Sequence, residues 1–175
     1  MFARRSVLVL VCTALLLVSS ARLQAGERPG RSDGGITLAG VSDGALAMAL
    51  TVAAHGAVRR LEGGACQRLF DAFADRNGLP LRATLEAHAW SVTDVASRVV
   101  FRDGRETTTC RAGNIAAFTG PGSRVVFVCG QRFAAMDRTR AELVLVHEFL
   151  HTLGLEERPP LPSEIDAAVA GACVD

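Results

Sequence analysis

"AELVLVHEFLHTLGLEERPP", residues Ala141 to Pro160, decides how the rest of the chain is read. Thr139 with Glu142 three residues later has the form of a capping box, so the spacing predicts a helix over the run from Ala141 to Leu155. Leu143, Val144, Leu145, Val146, Phe149, Leu150 and Leu153 surround its axis, and a helix apolar on nearly every side is a buried one. His147, Glu148 and His151 are then polar groups in an interior, where each needs a partner. Two histidines four residues apart lie one turn from each other on a single face. Both imidazoles can therefore reach one tetrahedral ion.

Working outward from that helix, Gly154 and "RPPLP" break it, and a final helix from Ser163 carries Ile165, Val169 and Cys173 on one face. On the N-terminal side, Ala45 to Leu61 has Leu46, Leu50, Ala53, Ala57 and Leu61 at helical spacing. Cys66, Leu69, Phe70 and Phe73 repeat the pattern until Asn77-Gly78 stops it, which predicts two leading amphipathic helices. The middle changes period. Ser97 to Phe101 and Glu106 to Cys110 flank Asp103-Gly104, a two-residue hairpin signal, and Ile115 to Thr119 and Val125 to Cys129 form a second pair around "GPGS". The expected architecture is α+β: a small, mostly antiparallel sheet and two leading helices packed around a buried helix, with a short helix after it.

The 175 residues suggest one domain with an appendage. Arg4 and Arg5 precede an apolar run, Ser6 to Val18, that is too short to span a membrane, and small residues follow at Ala21 and Ala25. Residues 1–25 read as a secretory signal peptide and residues 26–43, rich in Gly, Ser and Asp, as a flexible leader, which leaves 44–175 as the domain. Removing Arg4, Arg5 and Arg22 leaves 16 basic against 18 acidic residues, a net charge of −2. That balance favours neither nucleic acid nor an anionic membrane surface, and no stable membrane association is expected once the signal is cleaved. The same segment takes Cys12 with it. Cys66, Cys110, Cys129 and Cys173 remain, too widely spaced for a thiolate metal site and suited to two disulfides in an oxidising compartment, periplasmic or extracellular. Cys110 and Cys129 fall about one hairpin apart and are the expected pair, leaving Cys66 with Cys173.

His147, Glu148 and His151 fit the H-E-x-x-H pattern, in which two histidines bind Zn2+ and the glutamate is the general base. "HEFLHTLG" resembles the active-site helix of the zincin superfamily of zinc metallopeptidases, and its extension through Gly154 is similar to the metzincin pattern H-E-x-x-H-x-x-G-x-x-H. The longer phrase "VHEFLHTLGLEERPPLPSEI", with "VVFVCG" upstream, resembles small exported bacterial proteins regarded as metallopeptidases, over roughly residues 64–173. This resemblance implies a zincin-like fold and an exported zinc peptidase acting on peptide or protein substrates. In it Glu148 takes a proton from the attacking water, and Glu157, three residues past Gly154, stands where metzincins have a third histidine.

Glu164 is the rival third ligand, from a later helix as in gluzincins, with His55, His88, Glu156 and Asp166 behind it. The chain departs from the family in two ways: its last methionine, Met136, precedes the motif, and it has no tyrosine. Arg158 is the candidate to stabilise the tetrahedral intermediate, and "VVFVCG" the candidate edge strand for an extended substrate. The alternative function is an exported metal-binding or interaction protein that turns over no peptide.

Overall fold

The computed structural model describes residues 31–33 and 35–174; the expected signal peptide lies outside them. Five strands, β1 (Arg31–Asp33), β2 (Ile36–Ala39), β3 (Val100–Asp103), β4 (Ala117–Phe118) and β5 (Val125–Val128), form one sheet in the order β1-β2-β3-β5-β4. Eight α-helices accompany it among the described residues: α1 (Gly44–Glu62), α2 (Leu69–Ala72), α3 (Leu81–Ala87), α4 (Val92–Ala96), α5 (Thr108–Ala112), α6 (Gly130–Ala134), α7 (Arg138–Thr152) and α8 (Pro162–Cys173). The fold is mixed, with a small sheet beside a larger helical layer, as an α+β reading requires.

The sheet is not mostly antiparallel. β2, β3 and β5 run parallel, and only the outer strands β1 and β4 are antiparallel to their neighbours. Two local facts account for the difference. "ITLA", read as leader, alternates buried and half-buried residues and enters the sheet as β2, with Ile36 and Leu38 in the core. The expected hairpin at Asp103-Gly104 does not form. Gly104 N–H instead continues the ladder to Val128 O at 2.8 Å, and Thr107 accepts the Cys110 N–H, so the threonine run begins helix α5 rather than a strand. A Cβ on Gly104 would lie 2.8 Å from Cys110 Sγ, so the residue is glycine where a sulfur approaches the backbone. The chain after Leu61 also departs from expectation: in place of a second long helix it makes a 3-10 turn at Cys66–Arg68 and the single turn α2. The Asx turn at Asp75, whose carboxylate accepts from Asn77 N–H and Leu79 N–H, then reverses it.

Both cysteine pairs are as expected, Cys66 with Cys173 and Cys110 with Cys129. The hairpin argument for the second pair does not hold, because Cys110 sits on α5 and Cys129 directly precedes α6. The first pair fastens the 3-10 turn to the end of α8. No helix among the described residues is long and apolar enough to cross a membrane.

At the centre lies α7, packed most extensively against α1 and enclosed further by α8 and the sheet, with Phe149 set edge-on to Phe101 of β3. Its N-cap is Asp137, whose carboxylate accepts Arg140 N–H at 2.9 Å, so the capping box expected at Thr139 is absent. Glu142 is thereby free for another task. It is 4% exposed and accepts hydrogen bonds at 2.7 Å from Arg60 Nε on α1 and from Arg138 Nε. Burial would raise its carboxyl, but the two arginine bonds outweigh that and hold it below the ordinary value. Arg60 also donates to Cys173 O, tying α1, α7 and α8 at one point.

The carboxylate of Glu142 lies directly over Gly56, where a Cβ would come within 2.1 Å of Oε1. Gly56→Ala should therefore push Glu142 off Arg60 and destabilise the fold by about 1–3 kcal/mol, read as a lower midpoint in urea with an unchanged m-value. A midpoint that does not move would show that the helices can slide apart without loss.

Candidate metal centre

The end of α7 builds the centre. Leu155 N–H donates to Leu150 O and Gly154 N–H to His151 O, the two bonds of a Schellman motif, with Leu150 and Leu155 both fully buried. Gly154 has φ +110°, and a Cβ there would also lie 3.2 Å from Asp75 Cβ, so the helix stop requires glycine. The motif turns Leu155 O back toward the helix, where it accepts from His151 Nδ1 at 2.7 Å. His147 Nδ1 meets Asp166 Oδ1 of α8 at 2.7 Å.

These partners assign the tautomers. A carbonyl and a carboxylate only accept, so each Nδ1 carries a proton, and in the neutral imidazole each Nε2 presents a lone pair. The two Nε2 atoms lie 3.0 Å apart, and Glu157 Oε1 is 3.3 Å from that of His147 and 3.2 Å from that of His151. Three lone-pair donors converging this closely repel unless a positive charge sits among them. Ligands 2.0–2.1 Å from a tetrahedral zinc ion are separated by about 3.3–3.4 Å, so the triangle fits one face of such a site. Among the described residues, His147, His151 and Glu157 form the one group able to hold a metal ion in this way. The Asp166 and Leu155 bonds are the outer-shell support that metal-binding histidines use.

Glu148 is next to the triangle and stands outside it. Its side chain is buried and its Oε2 atom has no hydrogen-bond partner. Burial first, then the charge of Glu157, push its carboxyl up to about 8, while the Thr119 backbone N–H pulls the other way. A cation at the triangle would oppose both effects and favour the ionised form.

The four side chains open into a cleft of about 510 Å³ between α7 and α8 on one side and residues 114–119 on the other. Here the expected edge strand needs correction. β5, "VVFV", lies between β3 and β4, and β4 is the sheet edge. In the register Phe118↔Phe127, with Cys129 N–H bonded to Ala116 O, the N–H and C=O of Ala117 point away from β5, toward the free edge.

The chain matches no protein-family model, no curated protein and no solved structure. The centre is therefore read from its own residues.

Of the residues singled out in the sequence, His147, Glu148, His151 and Glu157 come together in this cleft, and Glu164, the rival ligand, does not join them. Its carboxylate accepts Leu161 N–H at 2.7 Å and caps its own helix. His55 sits half-buried on α1 and His88 stacks on Trp90 with centroids 4.2 Å apart. Glu156 and Arg158 line the continuation of the cleft beyond His151. Asp166, a candidate ligand by sequence, instead holds His147. Sequence spacing gave no sign of that role, which could be found only by asking what satisfies the second nitrogen of each buried histidine.

Two outcomes are expected. If the triangle holds a metal ion, Asp166→Ala should weaken its affinity by roughly 10–100-fold in a chelator competition while the protein stays folded; an unchanged affinity would show that His147 needs no partner. In the metal-free protein, folded Glu148 keeps its proton to about pH 8 while the unfolded chain releases it near the ordinary carboxyl value of 4.5. Its penalty is thus absent below the unfolded value and grows as pH rises toward the folded one. Metal-free Glu148→Gln should be more stable than the parent by on the order of 2–4 kcal/mol at pH 8, with the gap closing near pH 4.5. Urea titrations at the two pH values measure it, and a gap independent of pH would refute the assignment.

Proposed function

We propose that the protein is an exported zinc-dependent peptidase of zincin type, in which His147, His151 and Glu157 hold the ion and Glu148 is the general base. The observation that carries this reading is the buried Glu148 carboxylate, one oxygen of which has no partner, beside three converging donors in an open cleft. A site that only stabilises a fold has no use for such a group. When bound, a zinc ion supplies Lewis acidity, polarising a substrate carbonyl and making a nearby water acidic enough to attack at neutral pH.

The remaining work belongs to the chain. Glu148, desolvated and within the same cleft, accepts the proton of the attacking water and then returns it to the leaving amine. Asp166 and Leu155 O keep each imidazole in the tautomer whose Nε2 faces the ion. An extended peptide adds to the free edge of β4 at Ala117, which holds its carbonyl against the triangle. Arg158 lines the cleft just past His151 and is the cationic group suited to the developing oxyanion. The two disulfides support an oxidising compartment, consistent with export.

Purified protein should carry one zinc per chain and cleave a denatured-protein library. Glu148→Gln should keep the zinc and lose about 10²–10⁴-fold in kcat/KM, whereas Glu157→Ala should lose zinc affinity as well. Zinc without cleavage in the parent protein would favour a metal-binding role without turnover, and cleavage that survives Glu148→Gln would remove the proposed base.

A further inference from the structure

The cleft has a direction. Its lining on α7 runs from His151 and His147 through Val144 and Leu143 to Arg140, and on the opposite wall from Thr119 back to Asn114. Thr119 also lines the continuation past His151, so Asn114 and Arg140 mark the end away from the ligands. His147 and Arg140 are seven residues apart on one helix, about 10 Å at 1.5 Å per residue. An extended peptide advances about 3.4 Å per residue, so that span is about three residues long.

The lining changes character along the way. Glu148, Glu157 and Asp166 crowd the metal end, Leu143, Val144 and Val169 make the middle apolar, and Arg140 is the arginine of the lining at the far end, with Arg158 beyond the ligands at the other. The backbone N–H of Arg140 is used by Asp137, while its guanidinium has no carboxylate partner among the described residues. A guanidinium without such a partner and an amide lining the same cleft both offer N–H groups that a carboxylate accepts.

Resting on the peptidase reading above, we propose that Arg140, with Asn114, forms a carboxylate-binding subsite that selects peptides bearing an acidic group about three residues from the bond to be cut, with an apolar side chain between. The carboxylate can be an Asp or Glu side chain or a free peptide C-terminus, and one experiment separates the two. Zinc-loaded protein is titrated with peptide hydroxamates anchored at the metal, each with leucine next, a spacer, and then Glu, Gln or Lys carrying a C-terminal amide. A fourth ends in Gln with a free acid.

The Glu amide should bind about 10-fold tighter than the Gln amide, and the Lys amide most weakly. A Gln free acid that matches the Glu amide assigns recognition to the terminal carboxylate as well, and one that matches the Gln amide restricts it to the side chain. Arg140→Glu should reverse the Glu and Lys order with zinc content intact, and Arg140→Lys should keep part of the preference. Affinities within twofold across the set, or an order unchanged in Arg140→Glu, overturn the subsite and leave the peptidase reading standing. Hydroxamates that fail to bind the zinc-loaded parent overturn the peptidase reading, and the subsite with it.

Discussion

A helix enclosed on all sides has to find a use for every polar side chain it carries, and the structure follows from how α7 does so. All four buried polar or charged side chains among the described residues belong to it: Glu142, His147, Glu148 and His151. Glu142 is neutralised by two arginines and fixes the crossing of α1 and α7 over Gly56. The histidines are satisfied on one nitrogen each and leave the other free. Glu148 keeps one oxygen with no partner, and it is the group whose protonation burial shifts most. One helix thus holds a structural charge, two oriented donors and a perturbed acid, separated by where neighbouring elements supply hydrogen bonds.

Those neighbours come from distant parts of the sequence. α8 brings Asp166, the loop after β4 brings Thr119, and the turn at Asp75 pairs with the backbone at Leu155. The disulfide between Cys66 and Cys173 and the bond from Arg60 to Cys173 O hold α8 where Asp166 can reach His147. The centre is therefore a consequence of long-range packing around a short, locally specified helix.

How much of this was legible in the sequence depended on whether the signal was local. The run of apolar residues around His147 gave α7 and its burial, Ile165, Val169 and Cys173 gave α8, and the resemblance to the metzincin pattern pointed to Glu157 as the third donor. The sheet was harder. Parallel pairing between β2, β3 and β5 joins segments far apart in the chain, and no periodicity in "ITLA" or "VVFV" announces a partner. The threonines before Cys110 have strand propensity that a cap and a disulfide override. The capping box failed for a similar reason: Asp137 caps the helix two residues earlier, and Glu142 is more strongly held by Arg60 and Arg138 than it would be at a helix end.

The three donors of the centre differ in their access to water. His147 and His151 are buried side chains held by bonds at 2.7 Å, whereas the side chain of Glu157 is 41% exposed. The imidazoles cannot turn away without breaking their anchors, so Glu157 is the one donor free to swing aside, and any ion would have to pass on its side of the triangle. Two donors are fixed by the helix and its anchors, and the third is movable on the loop that follows.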